Sequence, residues 1–190
     1  MDLSILCKLF TFLKCRLFSF FFCVFNSFDL RYFNSIPVLT PGIEKFRTLL
    51  LKCLGAEIGR NSYVRYNVFI TNPKLLHIGN SSKIGIRSEL FLYSKLSIGD
   101  NVEIGSDLIV HTSDHVFSDH SMPLCKQGGA PRPVAIGSNV YIGSRVTILS
   151  GVVIDDYVVI GAGSVVTKSL GSGFVYGGTP AVRIKTIHNF

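Results

Sequence analysis

The chain has 190 residues, of which 47% are hydrophobic and 16% charged. This composition predicts one folded domain and excludes a disordered chain, which would be poor in hydrophobic residues and rich in charge. Nineteen Lys and Arg residues against 12 Asp and Glu residues give a net charge of +7, which favours phosphate-bearing molecules or anionic lipids as partners. We expect no nucleic-acid partner. The five cysteines lack the spacing of a zinc site and predict reduced, cytosolic thiols; they are Cys7, Cys15, Cys23, Cys53 and Cys125.

The N-terminal segment, residues 1–36, differs from the rest of the chain. Leu, Phe and Cys dominate residues 3–28, where Lys8, Lys14 and Arg16 are the only cations. The longest uncharged stretch is well short of the roughly 20 residues that a transmembrane helix needs. We therefore predict a helix that lies in a membrane interface through residues 1–28; the alternatives are packing against the protein itself or a neighbouring subunit, and a full span of the membrane. The expected location is the cytoplasm, at the inner face of the membrane.

A connector, residues 37–57, separates this segment from the rest. Pro37, Pro41 and Gly42 interrupt regular structure, and a short amphipathic helix is predicted from Gly42 to Leu54. Its polar side is expected to contain Glu44, Lys45, Arg47 and Lys52.

A six-residue repeat runs through residues 58–171. Six consecutive units start at residue 136 and read IGSNVY, IGSRVT, ILSGVV, IDDYVV, IGAGSV and VTKSLG. Most units open with an aliphatic residue, and Gly often follows it. A helix, with its period of 3.6, cannot produce this pattern, and ordinary β-sandwich strands would not keep its phase over so many residues.

Three such units form one triangular coil, which predicts an all-β solenoid of about five coils. The coils are expected to begin at Ile58, Ile78, Ile98, Ile136 and Ile154. Each short strand points an aliphatic side chain inward and hydrogen-bonds to the coils above and below. The long interval before Ile136 predicts a protruding loop at about residues 116–135. Residues 172–190 form a C-terminal tail.

These repeats, with GAGSVVTK at 161–168 and GGTPAVRIK at 177–185, resemble the hexapeptide-repeat acyltransferases, which have a left-handed parallel β-helix. The similarity covers about residues 43–185 and is strongest to the galactoside, maltose and xenobiotic acetyltransferases and the related surface-polysaccharide O-acetyltransferases. The resemblance implies a left-handed helix, a homotrimer, a catalytic domain at 58–171, and a tail near the coenzyme A site. It also implies acetyl-CoA as co-substrate and no metal.

The loop follows the sequence HTSDH, residues 111–115. Transfer of an acetyl group from a thioester to a sugar hydroxyl needs a base that accepts the hydroxyl proton near neutral pH, which suits imidazole. The resemblance assigns this role to His115, where the coil gives way to the loop. Asp114 and Asp119 are the nearest carboxylates that could orient it, and we take Asp114 as the catalytic partner. His111 is expected at a corner or on the surface.

The resemblance implies three further groups of residues. The groove for the pantetheine arm is assigned Tyr141, Gly143, Ser144, Ala162, Thr167 and Lys168. Arg183 and Lys185 would meet the adenosine phosphates. The acceptor site is assigned Arg87, Glu89 and Tyr93. The expected function is direct O-acetylation, without an acyl-enzyme, of a sugar in bacterial surface polysaccharide, lipopolysaccharide or a lipid-linked precursor.

Two alternatives remain at this point. A zinc hydro-lyase similar to the trimeric γ carbonic anhydrases would use His77, His115 and His120, because the last two have that family's five-residue separation. A catalytically silent trimeric scaffold is the other.

Overall fold

A computed structural model of the chain describes residues 40–187. The predicted interfacial helix within residues 1–28 lies outside this range. The first element is helix α1 (Thr40–Cys53), which agrees with the predicted helix. Among residues 40–187, no helix combines the length and the hydropathy that crossing a bilayer requires.

Short strands follow α1, and most of them end on a buried aliphatic residue. The strands are β1 (Glu57–Ile58), β2 (Tyr63–Val64), β3 (Phe69–Ile70), β4 (Leu76–Ile78), β5 (Lys83–Ile84), β6 (Glu89–Phe91), β7 (Leu96–Ile98), β8 (Glu103–Ile104), β9 (Ile109–His111), β10 (Ser113–His115), β11 (Gly129–Pro131), β12 (Val134–Ile136), β13 (Tyr141–Ile142), β14 (Thr147–Ile148), β15 (Val153–Ile154), β16 (Val159–Ile160), β17 (Val165–Val166), β18 (Phe174–Gly177) and β19 (Val182–Thr186). Single 3₁₀ turns occupy Pro73–Leu75 and Leu124–Lys126.

The strands build three parallel sheets, one for each side of a triangular coil. Sheet A contains β1, β4, β7, β12 and β15, and sheet C contains β3, β6, β9, β14 and β17. Sheet B contains β2, β5, β8, β13, β16 and β18, with β19 added antiparallel at its end. This parallel solenoid, which the repeat predicts, is consistent with the left-handed β-helix that the family resemblance implies.

The register confirms the predicted coil starts. Along sheet A, Ile58 pairs with Ile78, which pairs with Ile98. Ile98 pairs with Ile136, which pairs with Ile154. A sixth turn follows the five complete coils, because Leu170 bridges to Ile154 and β18 pairs with β16. The described chain therefore forms about six turns, one more than predicted.

The core is a stack of aliphatic side chains inside the prism. Sheet A contributes its isoleucine column; sheet B contributes Val64, Ile84, Ile104, Ile142 and Ile160; and sheet C contributes Ile70, Leu90, Val110, Ile148 and Val166. The coils approach so closely at the corners that some positions have no room for a side chain. A Cβ built on Gly99 would lie 2.7 Å from the carbonyl oxygen of Gly137 in the next coil.

Helix α1 packs across the first coil, and one of its residues departs from the predicted pattern. Arg47 was expected on the polar side, but it is buried and donates a hydrogen bond from Nη2 to the carbonyl of Val68 at 3.3 Å. Burial lowers the pKa of Arg47 to about 10, partly offset by the nearby carboxylate of Glu44. Its long side chain reaches over the coil and satisfies a carbonyl at the end of the solenoid.

The protruding loop is a hairpin between the third and fourth coils. β10 pairs antiparallel with β11, so that Ser113 faces Pro131 and His115 faces Gly129. The chain rejoins sheet A at Val134. The excursion thus begins and ends a little earlier than the predicted 116–135, because strand pairing extends the hairpin down to the coil.

Candidate active site

His115 ends strand β10, at the point where the hairpin leaves the coil. Its side chain is exposed, and its imidazole has no hydrogen-bond partner within residues 40–187. A groove of about 760 Å³ lies between the hairpin and the second to fourth coils. The groove is lined by His115 together with Phe91, Tyr93, His111, Ser113, Asp114, Gly129, Pro131 and Leu149. Both ring nitrogens of His115 are therefore available to a bound molecule.

Asp114 has partners other than His115. Its Oδ2 accepts a hydrogen bond from Ser150 Oγ at 2.7 Å and pairs with the guanidinium of Arg132. Arg132 Nε also donates to Ser150 Oγ at 3.2 Å, which closes a three-residue network. The hydrogen bond from Ser150, followed by the pairing with Arg132, holds the pKa of Asp114 below its usual range. The expected bond to His115 is not among those that Asp114 makes in the described part of the chain.

Asp119, the other carboxylate considered for His115, is used in a turn of the loop. Its Oδ1 accepts hydrogen bonds from the backbone N–H and the hydroxyl of Ser121, at 2.8 and 2.6 Å. The hydroxyl and backbone bonds from Ser121 lower the pKa of Asp119. The side chain of Asp119 thus stabilises the loop at a position that is fully exposed.

His111 also lines the groove, a role that its position in the repeat did not predict. Its ring stacks on the ring of Phe91 in the coil below, with 4.9 Å between the centroids and 4° between the planes. His111, Ser113 and His115 all line the groove. The alternation of these three residues in an extended segment is the signal that could have identified His111. As the second residue of its hexamer, His111 was assigned to a corner or the surface, and the alternation was overlooked.

The residues assigned to the coenzyme arm fall into two sets. Tyr141 opens β13 on sheet B, and Gly143, Ser144 and Ala162 follow β13 and β16 at the corner between sheets B and C. Thr167 and Lys168 follow β17, at the opposite edge of sheet C. Because Ile148 pairs with Val166, Thr167 comes next to Leu149, which lines the groove. Only the second set therefore lies on the same edge of this copy as His115.

The two cations of the tail lie on β19. Arg183 faces Tyr176 of β18, and Lys185 faces Val175. The guanidinium carbon of Arg183 lies 3.4 Å from the centroid of the Phe174 ring, a cation–π contact. Both residues are exposed at the end of sheet B, beyond β13 and β16.

The three residues assigned to the acceptor are not grouped together. Tyr93 lines the groove beside His115, and its side chain is 66% exposed. Arg87 is at the corner between sheets B and C and donates to Asp107 through Nε and Nη2, at 2.8 and 2.9 Å. Glu89 begins β6 on the same side of sheet C as Arg87. In one copy of the chain, Tyr93 is the member of this trio that shares the groove with His115.

The histidines of the zinc alternative do not converge in the described chain. His77 is on β4, with Nδ1 2.7 Å from Glu57 Oε2. His120 is exposed in the loop. Within residues 40–187, no three His, Cys, Asp or Glu side chains are grouped closely enough to hold a metal ion.

Comparison with known proteins identifies the family. Residues 133–168 match the bacterial transferase hexapeptide (six repeats) family. The galactoside O-acetyltransferase of Escherichia coli K12 is 34% identical over 148 residues, 77% of this chain and 71% of that protein. WcaF of the same organism, an acetyltransferase named for colanic acid biosynthesis, is 33% identical over 141 residues, 74% of this chain and 75% of WcaF. A galactoside acetyltransferase solved in complex with coenzyme A gives a TM-score of 0.73 at 29% identity, covering 93% of this chain and 80% of that one. The chain therefore belongs to the hexapeptide-repeat acetyltransferase family, in the branch that contains the galactoside and colanic acid acetyltransferases.

Proposed function

We propose that this protein transfers the acetyl group of acetyl-CoA to a hydroxyl group of a sugar, with His115 as the general base. The observation that carries the proposal is the exposed imidazole of His115, free of protein hydrogen bonds in the described chain and placed in a groove between coil and hairpin. We propose as acceptor a sugar of bacterial surface polysaccharide or lipopolysaccharide, or its lipid-linked precursor. The similarity to WcaF supports that choice.

The proposed reaction proceeds in one displacement through a tetrahedral intermediate. A ring nitrogen of His115 accepts the proton of the sugar hydroxyl as the hydroxyl oxygen attacks the thioester carbonyl carbon. The carbon–sulfur bond then breaks, and the imidazolium returns the proton to the departing thiolate. The products are the sugar acetate and coenzyme A with a free thiol, and no acyl-enzyme forms.

We assign the donor to the residues that the family resemblance implies. Tyr141, Gly143, Ser144, Ala162, Thr167 and Lys168 would line the pantetheine arm. Arg183 and Lys185 would meet the phosphates, and the Phe174 ring beneath Arg183 fixes the direction of its guanidinium. The coenzyme A complex of the related galactoside enzyme supports the choice of donor.

We further propose that the active enzyme is a homotrimer whose sites lie between copies. Tyr141 is on sheet B and Ala162 is at the corner between sheets B and C, whereas His115 and Thr167 are at the opposite edge of sheet C. Contact between one edge of a copy and the opposite edge of its neighbour would unite the two sets, and such head-to-tail contacts close into a ring. One copy alone leaves each set incomplete.

Hybrid trimers test this arrangement. His115→Ala and Ala162→Trp, each expected to be inactive alone, are mixed in equal amounts, dissociated and reassembled. Every mixed trimer then contains one intact site, so about a quarter of the wild-type activity should return. Reassembled trimers that stay inactive would mean that each site is built from one copy.

The acceptor is identified by a screen that measures thiol release from acetyl-CoA with candidate sugars, lipid-linked saccharides and polysaccharide fragments. His115→Ala should lose about 10³-fold or more of the rate with the best acceptor, while the trimer stays intact. His120→Ala is the matched control, because it removes an exposed imidazole from the same loop. Equal turnover by His115→Ala and wild type would reject His115 as the base.

We also propose peripheral membrane contact by a cytoplasmic protein, through residues 1–28, which lie outside the described range. Deleting these residues should move the protein from the membrane fraction to the supernatant. Unchanged fractionation contradicts this proposal without affecting the assignment of the reaction.

A further inference from the structure

We propose that His111 binds the acceptor sugar through its ring nitrogens, so that the groove contains two imidazoles with different roles. His115 would accept the proton, and His111 would hold the sugar and determine which sugars fit. This inference rests on the proposed O-acetyltransferase function.

The packing of His111 fixes the plane of its ring. One face of the ring lies flat against Phe91 at 4.9 Å, and Phe91 is in turn supported by Phe69, with ring centroids 5.9 Å apart. The coil above places Leu149 next to His111 in the register, because Val110 pairs with Ile148. The ring is therefore held flat on Phe91, and a group that hydrogen-bonds to its nitrogens must approach within the plane of the ring.

The nitrogens of His111 have no hydrogen-bond partner in the part of the chain that the structure describes, although the residue is half-buried and its charge interacts with the carboxylate of Asp114. Polar groups that are partly removed from water are usually hydrogen-bonded, and a side chain held only for its packing would serve better as an aromatic hydrocarbon. Because His111 lines the groove, the missing partner can be supplied by a molecule that enters it.

The chemistry of the site favours a sugar hydroxyl. A neutral imidazole offers one donor and one acceptor in the plane of its ring, and each hydroxyl group can complement either of them. Tyr93 adds an exposed aromatic side chain to the same groove, suited to the apolar face of a pyranose. Asp114, the nearest carboxylate in the groove, is already paired with Arg132 and hydrogen-bonded to Ser150.

His111 lies at the end of the groove that is opposite the residues assigned to the donor. Phe91, His111, Leu149 and Thr167 follow one another along the edge of sheet C, one residue from each successive coil. The donor is assigned to the end at Thr167. An acceptor that must meet the thioester at His115 then enters from the other end, where Phe91, Tyr93 and His111 lie.

Three variants separate binding by the nitrogens from packing of the ring. His111→Phe keeps a ring on Phe91 but removes both nitrogens, and His111→Gln keeps a donor and an acceptor without the ring. His120→Phe is the control for loss of an exposed histidine from the adjoining loop. The assay is steady-state kinetics of the full-length protein with the best acceptor from the screen, varying acceptor and acetyl-CoA separately.

We expect His111→Phe to raise the acceptor KM by about five- to tenfold, the usual effect of losing one or two neutral hydrogen bonds. The KM for acetyl-CoA and kcat should stay within about twofold, and His111→Gln should recover part of the affinity. We also expect one deoxy analogue of the acceptor to bind the wild type as weakly as the parent sugar binds His111→Phe. The same analogue should bind His111→Phe no more weakly than the parent sugar does, because the hydrogen bond is already missing.

Two results would overturn the inference. One is an unchanged acceptor KM in His111→Phe, and the other is a fall in kcat alone. In either case wild-type turnover would remain, so the proposed function would stand. Absence of turnover by the wild type with every sugar tested, together with tight binding of acetyl-CoA, would instead refute the sugar acceptor itself.

Discussion

The carboxylate of Asp114 and the hydroxyl of Ser150, 36 residues apart in sequence, are joined by a hydrogen bond of 2.7 Å. Asp114 precedes His115 in the hairpin, and Ser150 is buried at a corner of the fourth coil. Arg132, where the chain returns from the hairpin, bonds to both side chains and donates its backbone N–H to the carbonyl of Thr112. The imidazole of His115 has no hydrogen bond of its own in residues 40–187, so this network fixes the strand that positions it.

Removing the hydroxyl of Ser150 should loosen strand β10, which contains Asp114 and His115. We expect Ser150→Ala to lower the free energy of unfolding by about 1 kcal/mol, the usual net value of one hydrogen bond. Displacement of His115 by a fraction of an ångström should lower kcat by about tenfold, with little change in the KM for acetyl-CoA. Thermal unfolding and steady-state kinetics measure the two effects.

Asp119→Asn is the control, because it removes a carboxylate of the same loop that bonds only within its own turn. It should leave kcat within about twofold of wild type. If Asp114 instead oriented His115 directly, Asp114→Asn would have a low kcat, whereas Ser150→Ala would keep the kcat of wild type. That pattern would contradict the positioning network.

Acid should destabilise the protein through two paired carboxylates. The pKa of Asp114 is lowered by Ser150 and Arg132, and the pKa of Asp107 is lowered by its hydrogen bonds from Arg87. Each folded-state pKa lies below the unfolded value of about 3.9, so each pair stabilises the fold above that pH. The stability should be lost as the pH falls through the folded-state values.

The measurement is Tm between pH 6 and pH 2.5 for wild type and for the double variant Asp107→Asn/Asp114→Asn. The double variant should have a lower Tm than wild type at pH 6, and the difference should shrink below pH 4. A constant difference across this range would mean that neither carboxylate has a lowered pKa in the folded protein.

The six-residue period was sufficient to predict the coil register. Ile98 and Ile136 pair across a 38-residue interval, because a slip of one residue would turn the aliphatic side chains of that strand outward. Burial thus fixes each coil start wherever the hairpin happens to lie in the sequence. The additional sixth turn was missed because Leu170 and β18 no longer follow the hexamer spacing.

The partners within the site could not be predicted in the same way. Asp114 meets Arg132 and Ser150 only after the hairpin closes, and nothing in the local sequence indicates that closure. Arg47 was placed on the wrong side of its helix because charge alone suggested exposure, whereas a long side chain can reach a free carbonyl from a buried position.

The corner glycines should be the most sensitive positions of the scaffold. A Cβ on Gly99 would lie 2.7 Å from both the carbonyl carbon and the carbonyl oxygen of Gly137, and backbone atoms held by the coil ladder cannot move aside. We expect Gly99→Ala to lower the free energy of unfolding by about 3 kcal/mol or more. Gly42→Ala is the control, because nothing lies within 4 Å of a Cβ built at that position of α1, and it should not destabilise the protein. Chemical denaturation of both variants checks the difference, and equal midpoints would show that the coils can separate to admit a methyl group.

Removal of metal should leave catalysis unchanged, because the proposed transfer needs only an imidazole and a thioester. The histidines of the zinc alternative have separate environments in the described chain: His77 bonds to Glu57, His120 is exposed in the loop, and His115 lines the groove. We expect the purified protein to contain much less than one zinc per subunit, and dialysis against a chelator to change thiol release by less than about twofold. Zinc analysis and the thiol assay on the same dialysed sample test both expectations. One zinc per subunit, with activity lost on dialysis and restored by added zinc, would require a metal site completed between copies and would contradict a transfer that depends on the imidazole of His115 alone.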